Sequence, residues 1–130
     1  MKKVFIICFL SFISVSCTND DDSNTSVNLV GTWEWIQSTG GITGSTLTPA
    51  STGMTMQLEI SNTTIRSITD GTLVSENTYT IETRETMFGN VQEVLVVGDG
   101  IGQIIFLEGN TLELIGDCSD CFTSEYLRIN

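Results

Sequence analysis

Histidine is absent from this chain, and lysine occurs only at Lys2 and Lys3. Side chains able to do chemistry are therefore few in kind. Without histidine there is no Ser–His or Cys–His pair, and the body of the chain offers no amine for a Schiff base. Sixteen carboxylates remain, and paired carboxylates can hydrolyse glycosidic bonds. Yet Glu82 and Glu85 flank a turn, while Glu34, Glu59 and Glu113 alternate with apolar residues and so face solvent. A carboxylate-based hydrolase would need two of these acids converging in a pocket. The sequence shows no convergent set of catalytic groups, and no enzyme is expected.

The other reactive residues are the four cysteines. Cys118-Ser119-Asp120-Cys121 allows three chemistries. A redox dithiol needs positive charge or a helix N-terminus to stabilise a thiolate, and Asp117 and Asp120 oppose that. A structural zinc site needs four ligands, and two cysteines without histidine fall short. A disulfide closing a turn suits the spacing best, provided the chain bends to bring the Cα atoms within about 7 Å. It contributes roughly 2 kcal/mol in the entropic model for so short a loop. Gly98-Asp99-Gly100-Ile101-Gly102 lacks the spacing of a phosphate loop and reads as a hairpin turn. No cofactor or metal is expected.

Cys8 and Cys17 belong to a different region. Lys2 and Lys3 precede an apolar run over 4–15, too short to span a bilayer as a helix. Small residues Ser14, Val15 and Ser16 lead directly to Cys17. Here the chain resembles bacterial lipoprotein precursors, with Ser14 standing where the usual lipobox carries an aliphatic residue. The resemblance implies a signal peptide over 1–16 and lipid on Cys17. One acyl chain binds a membrane only reversibly; the several chains the resemblance implies would anchor stably. Residues 18–26 are all polar and include Asp20, Asp21 and Asp22, so 17–28 reads as a lipidated, solvated tether. Acidic residues just after such a cysteine resemble the export signal of Gram-negative surface lipoproteins. The expected location is the outer membrane or cell surface. A calcium loop fails, because Thr25 and Gly31 occupy the positions that need Gly and Glu.

Charge bounds the partners. Removing Lys2 and Lys3 leaves Arg66, Arg84 and Arg128 against 16 carboxylates, a net charge of −13. Such a body repels phosphate backbones, so nucleic acid is excluded as a partner. It also gains nothing from anionic headgroups, which leaves membrane attachment to the lipid on Cys17.

Positioning elements must come from 29–130, where short alternating runs are separated by Gly, Asn, Asp, Ser and Thr. No helical stripe stands out, and the period-2 signal predicts eight strands, over 33–37, 54–60, 64–69, 73–81, 91–97, 103–107, 111–115 and 123–129. Met54, Met56, Leu58 and Ile60 share a face, as do Leu73, Tyr79 and Ile81. Asp70-Gly71 is a strong hairpin signal. Tight turns between successive strands predict an all-β, up-and-down antiparallel eight-stranded barrel, which removes exposed edges. Stretches 94–97 and 104–107 are apolar on both faces, so something covers them outside or they meet a partner.

Gly31-Thr32-Trp33 at the head of the first strand resembles the opening motif of lipocalins. More closely, the chain resembles small lipocalin-like lipoproteins of Gram-negative bacteria. The resemblance implies a calycin-type barrel whose closed end is plugged by Trp33, with Arg128 of the last strand packed over it. Gly31, Trp33 and Arg128 are thus the expected closure residues. A guanidinium over an indole contributes about 0.5–2 kcal/mol. The resemblance also implies a small apolar ligand inside, with Trp35, Met54, Met56, Leu58, Tyr79 and Ile81 as expected lining. The other expectation is a solid-core module that meets another envelope protein.

Overall fold

The structure is a computed structural model that describes residues 27–130. The expected signal peptide, lipid site at Cys17 and acidic tether over 18–26 lie outside the described residues.

The chain forms β1 (Gly31–Gly40), β2 (Ser45–Leu47), α1 (Pro49–Thr52), β3 (Met56–Ile60), β4 (Thr64–Thr69), β5 (Thr72–Glu85), β6 (Val91–Val97), β7 (Gln103–Glu108), β8 (Thr111–Gly116) and β9 (Phe122–Arg128). All pairings are antiparallel, and β1 also pairs with β9. Strands β1 and β3–β9 therefore close an eight-stranded up-and-down barrel. The closing register sets Trp33 opposite Arg128 and Trp35 opposite Tyr126.

Turn chemistry explains the sharpest connection. Asp70 and Gly71 both take positive φ, 50° and 79°. Two such residues form the tight turn whose twist matches antiparallel strands, and Thr69 pairs directly with Thr72 across it.

Three local departures from the sequence expectation have physical causes. The stretch before β3 is not a plain loop: β2 pairs with the far end of β1, at Ser38, Thr39 and Gly40. It leads into α1, where Thr48 caps the Ser51 N–H and Pro49 sits in the first turn. One turn of helix is too short to leave a periodic signal. The strand expected from 54 begins instead at Met56, leaving Met54 outside it and exposed. A bulge between Ser67 and Ile68 pairs Ser67 with Ser75 but Ile68 with Leu73. One extra residue turns the chain over. Leu73 thus leaves the face of Tyr79 and Ile81 and is exposed.

The barrel is packed solid where β1 begins. Leu29, Trp33, Ile60, Leu95, Ile105 and Leu112 form a buried cluster there. Tyr79 and Ile81 pack against it from the side, and the Tyr79 hydroxyl donates to the Ser61 carbonyl at 2.6 Å.

Strands β6 and β7 pair at only two positions, Val94 with Ile104 and Leu95 with Gln103. Leu95 joins the inner core, so Val94 and Ile104 face outward by alternation, yet both are buried. On this outer side, Arg84 of β5 and Val94 of β6 both crowd Gly102, just before β7. Asp117 accepts from the Met87 N–H at 2.8 Å and from the Arg84 guanidinium at 3.3 Å. Gly102 leaves room for Arg84 and Val94, since a Cβ there would strike both. Of the outward apolar residues of these strands, Val94 and Ile104 are thus buried within the chain, whereas Phe106 on β7 is exposed.

Candidate functional site

Away from the Trp33 end, the barrel interior is not filled. A cavity of about 220 Å³ lies among β3–β9. Its apolar wall is Leu58, Ile65, Val97 and Leu114. Its polar wall is Ser67, Ser75, Asn77, Gln103 and Tyr126. Ser67 and Ser75 are direct cross-strand partners, as are Ile65 and Asn77, so β4 and β5 stack two rungs along one side.

Among the described residues, no carboxylate and no arginine lines this cavity. Charged side chains of the same strands face out by alternation. Glu59, Arg66 and Glu76 sit opposite one another across β3, β4 and β5, with Arg66 3.0 Å from Glu59 and 3.1 Å from Glu76. These partners are about half exposed, which limits the ladder's contribution to stability. Ser67, Ser75 and Gln103 are half-buried and Asn77 is exposed, and among the described residues none of the four makes a side-chain hydrogen bond to another protein group. Their bonding capacity is left to whatever occupies the space. Tyr126 is largely buried, which pushes its phenol pKa up, while a hydrogen bond with Ser124 pulls in the other direction. Burial raises Tyr79 as well.

The structure distributes the expected lining residues unevenly. Leu58 lines the cavity. Trp35 is buried beside it in the wall and donates its indole N–H to Ser38 Oγ at 2.9 Å. Met56 is half-buried at the start of β3 and is not part of the lining, and exposed Met54 is excluded from it. Tyr79 and Ile81 line a different space, an open cleft of about 500 Å³ shared with Val27, Leu29 and Asn62. That cleft is larger but lies outside the packed end of the barrel and reaches Val27, the first described residue. The interior cavity, walled by seven strands, is the better enclosed of the two.

No family model, curated protein or solved structure matches this chain.

Gly31, Trp33 and Arg128 meet at the closing seam. The Arg128 guanidinium lies 4.2 Å from the centroid of the Trp33 ring. It also donates to the carbonyls of Val30 at 2.6 Å and Asn28 at 3.1 Å. The Trp33 indole N–H donates to the Leu29 carbonyl at 2.9 Å. Gly31 has φ +147°, and a Cβ there would sit 2.7 Å from the Asn130 carbonyl oxygen and 2.8 Å from the Arg128 guanidinium. Glycine is thus required both by backbone conformation and by the closeness of the last strand.

A disulfide joins Cys118 and Cys121 across a tight turn, with the Cα atoms 5.3 Å apart. Gly116 makes room for it, since a Cβ would collide with Cys121. Cys121 and Gln103 line a neighbouring depression of about 190 Å³, which places the bridge beside the cavity. Sequence reasoning missed Ser67, Ser75, Asn77 and Gln103. The available signal was the parity of Ser67 with apolar Ile65.

Proposed function

We propose that this chain is a lipid-anchored protein of the bacterial envelope whose barrel holds one small ligand. The observation that carries the binding reading is the half-filled interior. An eight-stranded barrel has just enough room to be filled by its own side chains or to hold one small ligand. Here one half is closed by Trp33 and Leu112, and the other is lined by polar groups left without protein partners. A barrel built only for stability gains by filling such a space, because unfilled volume forfeits packing energy.

The anchor reading rests on the sequence around Cys17. The described chain starts at the packed end, where Arg128 holds the Asn28 and Val30 carbonyls. A tether from that end would hold the packed end nearer the lipid than the open half.

The rival reading, a solid-core module for an envelope partner, drew on the two-faced apolar strands. Val94 and Ile104 are buried within the chain itself, which removes that part of the rival's ground, while Phe106 on β7 stays exposed.

Mass spectrometry of the full chain, gently extracted from its host, tests both parts. A mass equal to residues 17–130 plus several acyl chains is expected, with the acyl mass absent in Cys17→Ser, together with a small co-purified molecule. An unmodified Cys17 overturns the anchor. An empty barrel that also fails to take up any small molecule added in solution overturns the binding reading.

A further inference from the structure

We infer that the ligand of the interior cavity is a neutral, hydroxyl-bearing molecule no larger than a single sugar ring. This inference rests on the reading of the interior as a binding site and specifies its chemistry.

Size comes first. The cavity measures about 220 Å³, the liquid volume of about seven water molecules. Binding sites for drug-sized molecules run from about 300 Å³ upward. An acyl chain or a steroid is too large for this one.

Charge comes next. The lining has no ionic group, so a buried anion or cation would find no partner and would carry its full desolvation cost. The net negative body further repels anions before they arrive. The ligand is therefore uncharged.

Hydrogen bonding then separates polar from apolar candidates. Two serine hydroxyls and two carboxamides line the space, the Asn77 carboxamide from an exposed position, and among the described residues none of them is hydrogen-bonded to another protein side chain or backbone group. Hydroxyls and carboxamides each donate and accept. A ligand whose groups also do both, such as an alcohol, satisfies all four. A hydrocarbon satisfies none and displaces the water that hydrates half-buried Ser67, Ser75 and Gln103, at about 1–3 kcal/mol for each group left dry. Leu58 and Leu114 on the apolar wall suit the C–H face that a ring polyol presents beside its hydroxyls.

The test is calorimetry and saturation-transfer NMR on the full chain in detergent. The probes are glucose, mannose and galactose, a hexose phosphate, and the neutral apolar dye phenylnaphthylamine. Variants Asn77→Leu and Gln103→Leu remove polar groups while keeping a wall, and unchanged tryptophan emission confirms that they fold. The expected result is binding of at least one neutral hexose, weakened about tenfold in each variant, with no binding of the hexose phosphate. Binding of the dye without any hexose overturns the ligand class and leaves the binding barrel standing. Equal affinity of wild type and both variants for the hexose overturns the assigned site. Failure of every probe overturns the ligand class and counts against the binding barrel as well.

Discussion

Arg128 lies over the face of Trp33 while its two terminal nitrogens hold the carbonyls of Val30 and Asn28. One side chain from the last strand thus fixes the indole that plugs the barrel and the backbone that leads into the first strand. The two residues are also direct register partners across the closing seam. Stacking and forked donation need a planar cation, which a lysine ammonium is not.

Arg128→Lys should therefore destabilise the fold although charge is kept. Loss of stacking and of one or both charge-assisted hydrogen bonds predicts about 1–3 kcal/mol. Urea unfolding followed by tryptophan emission reads this directly. An unchanged midpoint for the lysine variant would mean that the contact carries no stability.

Gly31→Ala tests the other side of the same seam. The new methyl meets the Asn130 carbonyl and the Arg128 guanidinium at under 3 Å, on a backbone with φ +147°. Backbone strain alone costs about 1–3 kcal/mol, and displacement of Arg128 adds to it. The variant should lose at least as much stability as Arg128→Lys. In the double variant the two losses should fall short of additivity, because both act on one contact. Full additivity in a double-mutant cycle would refute the shared contact.

The closure motif was legible in the sequence because barrel closure forces the first and last strands together, wherever the strands between them lie. Asp70-Gly71 was legible because a two-residue turn is a local matter. The lining was less so. Alternation rules place polar residues outside, and Ser67, Ser75 and Asn77 violate that rule. Only the register with Leu58 and Ile65 shows that they point in. Alternation puts Leu73 on the wrong face, because a one-residue bulge reverses parity and leaves no mark in composition. The apolar outer faces of Val94 and Ile104 announced a cover, but the neighbour on that side belongs to the distant pair Arg84 and Asp117, whose sequence spacing carries no signal.

That distant pair leads to a local prediction. Asp117 is mostly buried and holds both the Met87 N–H and Arg84. Asp117→Ala removes both contacts and should free the β5–β6 hairpin from the outer wall. Hydrogen exchange should rise by about tenfold or more at 84–90, as expected when a local opening loses one or two hydrogen bonds. The β3–β4 pairs should keep their protection. Uniform loss of protection across the barrel would instead show that the contact belongs to the global unfolding unit.

Alkaline stability isolates Tyr126. Residues 27–130 contain no lysine and their two cysteines are disulfide-bonded, so Tyr79 and Tyr126 are the groups of the described residues that titrate at about pH 10 or above. Burial raises the pKa of Tyr126, and of Tyr79, above the ordinary value of 10.0. In the unfolded chain both phenols ionise near that value, while the folded barrel retains their protons to higher pH. Between the two pKa values the folded state binds more protons, so stability falls as pH rises. The contribution is complete below about pH 10 and disappears as pH climbs through the folded value. Thermal melts of the mature chain should therefore be flat between pH 8 and 9.5, as about the window where no phenol ionises, and should decline above it. Tyr126→Phe should flatten that decline more than Tyr79→Phe, because Tyr126 lies deeper in the wall. A decline that is equally steep in Tyr126→Phe would place the titrating group elsewhere.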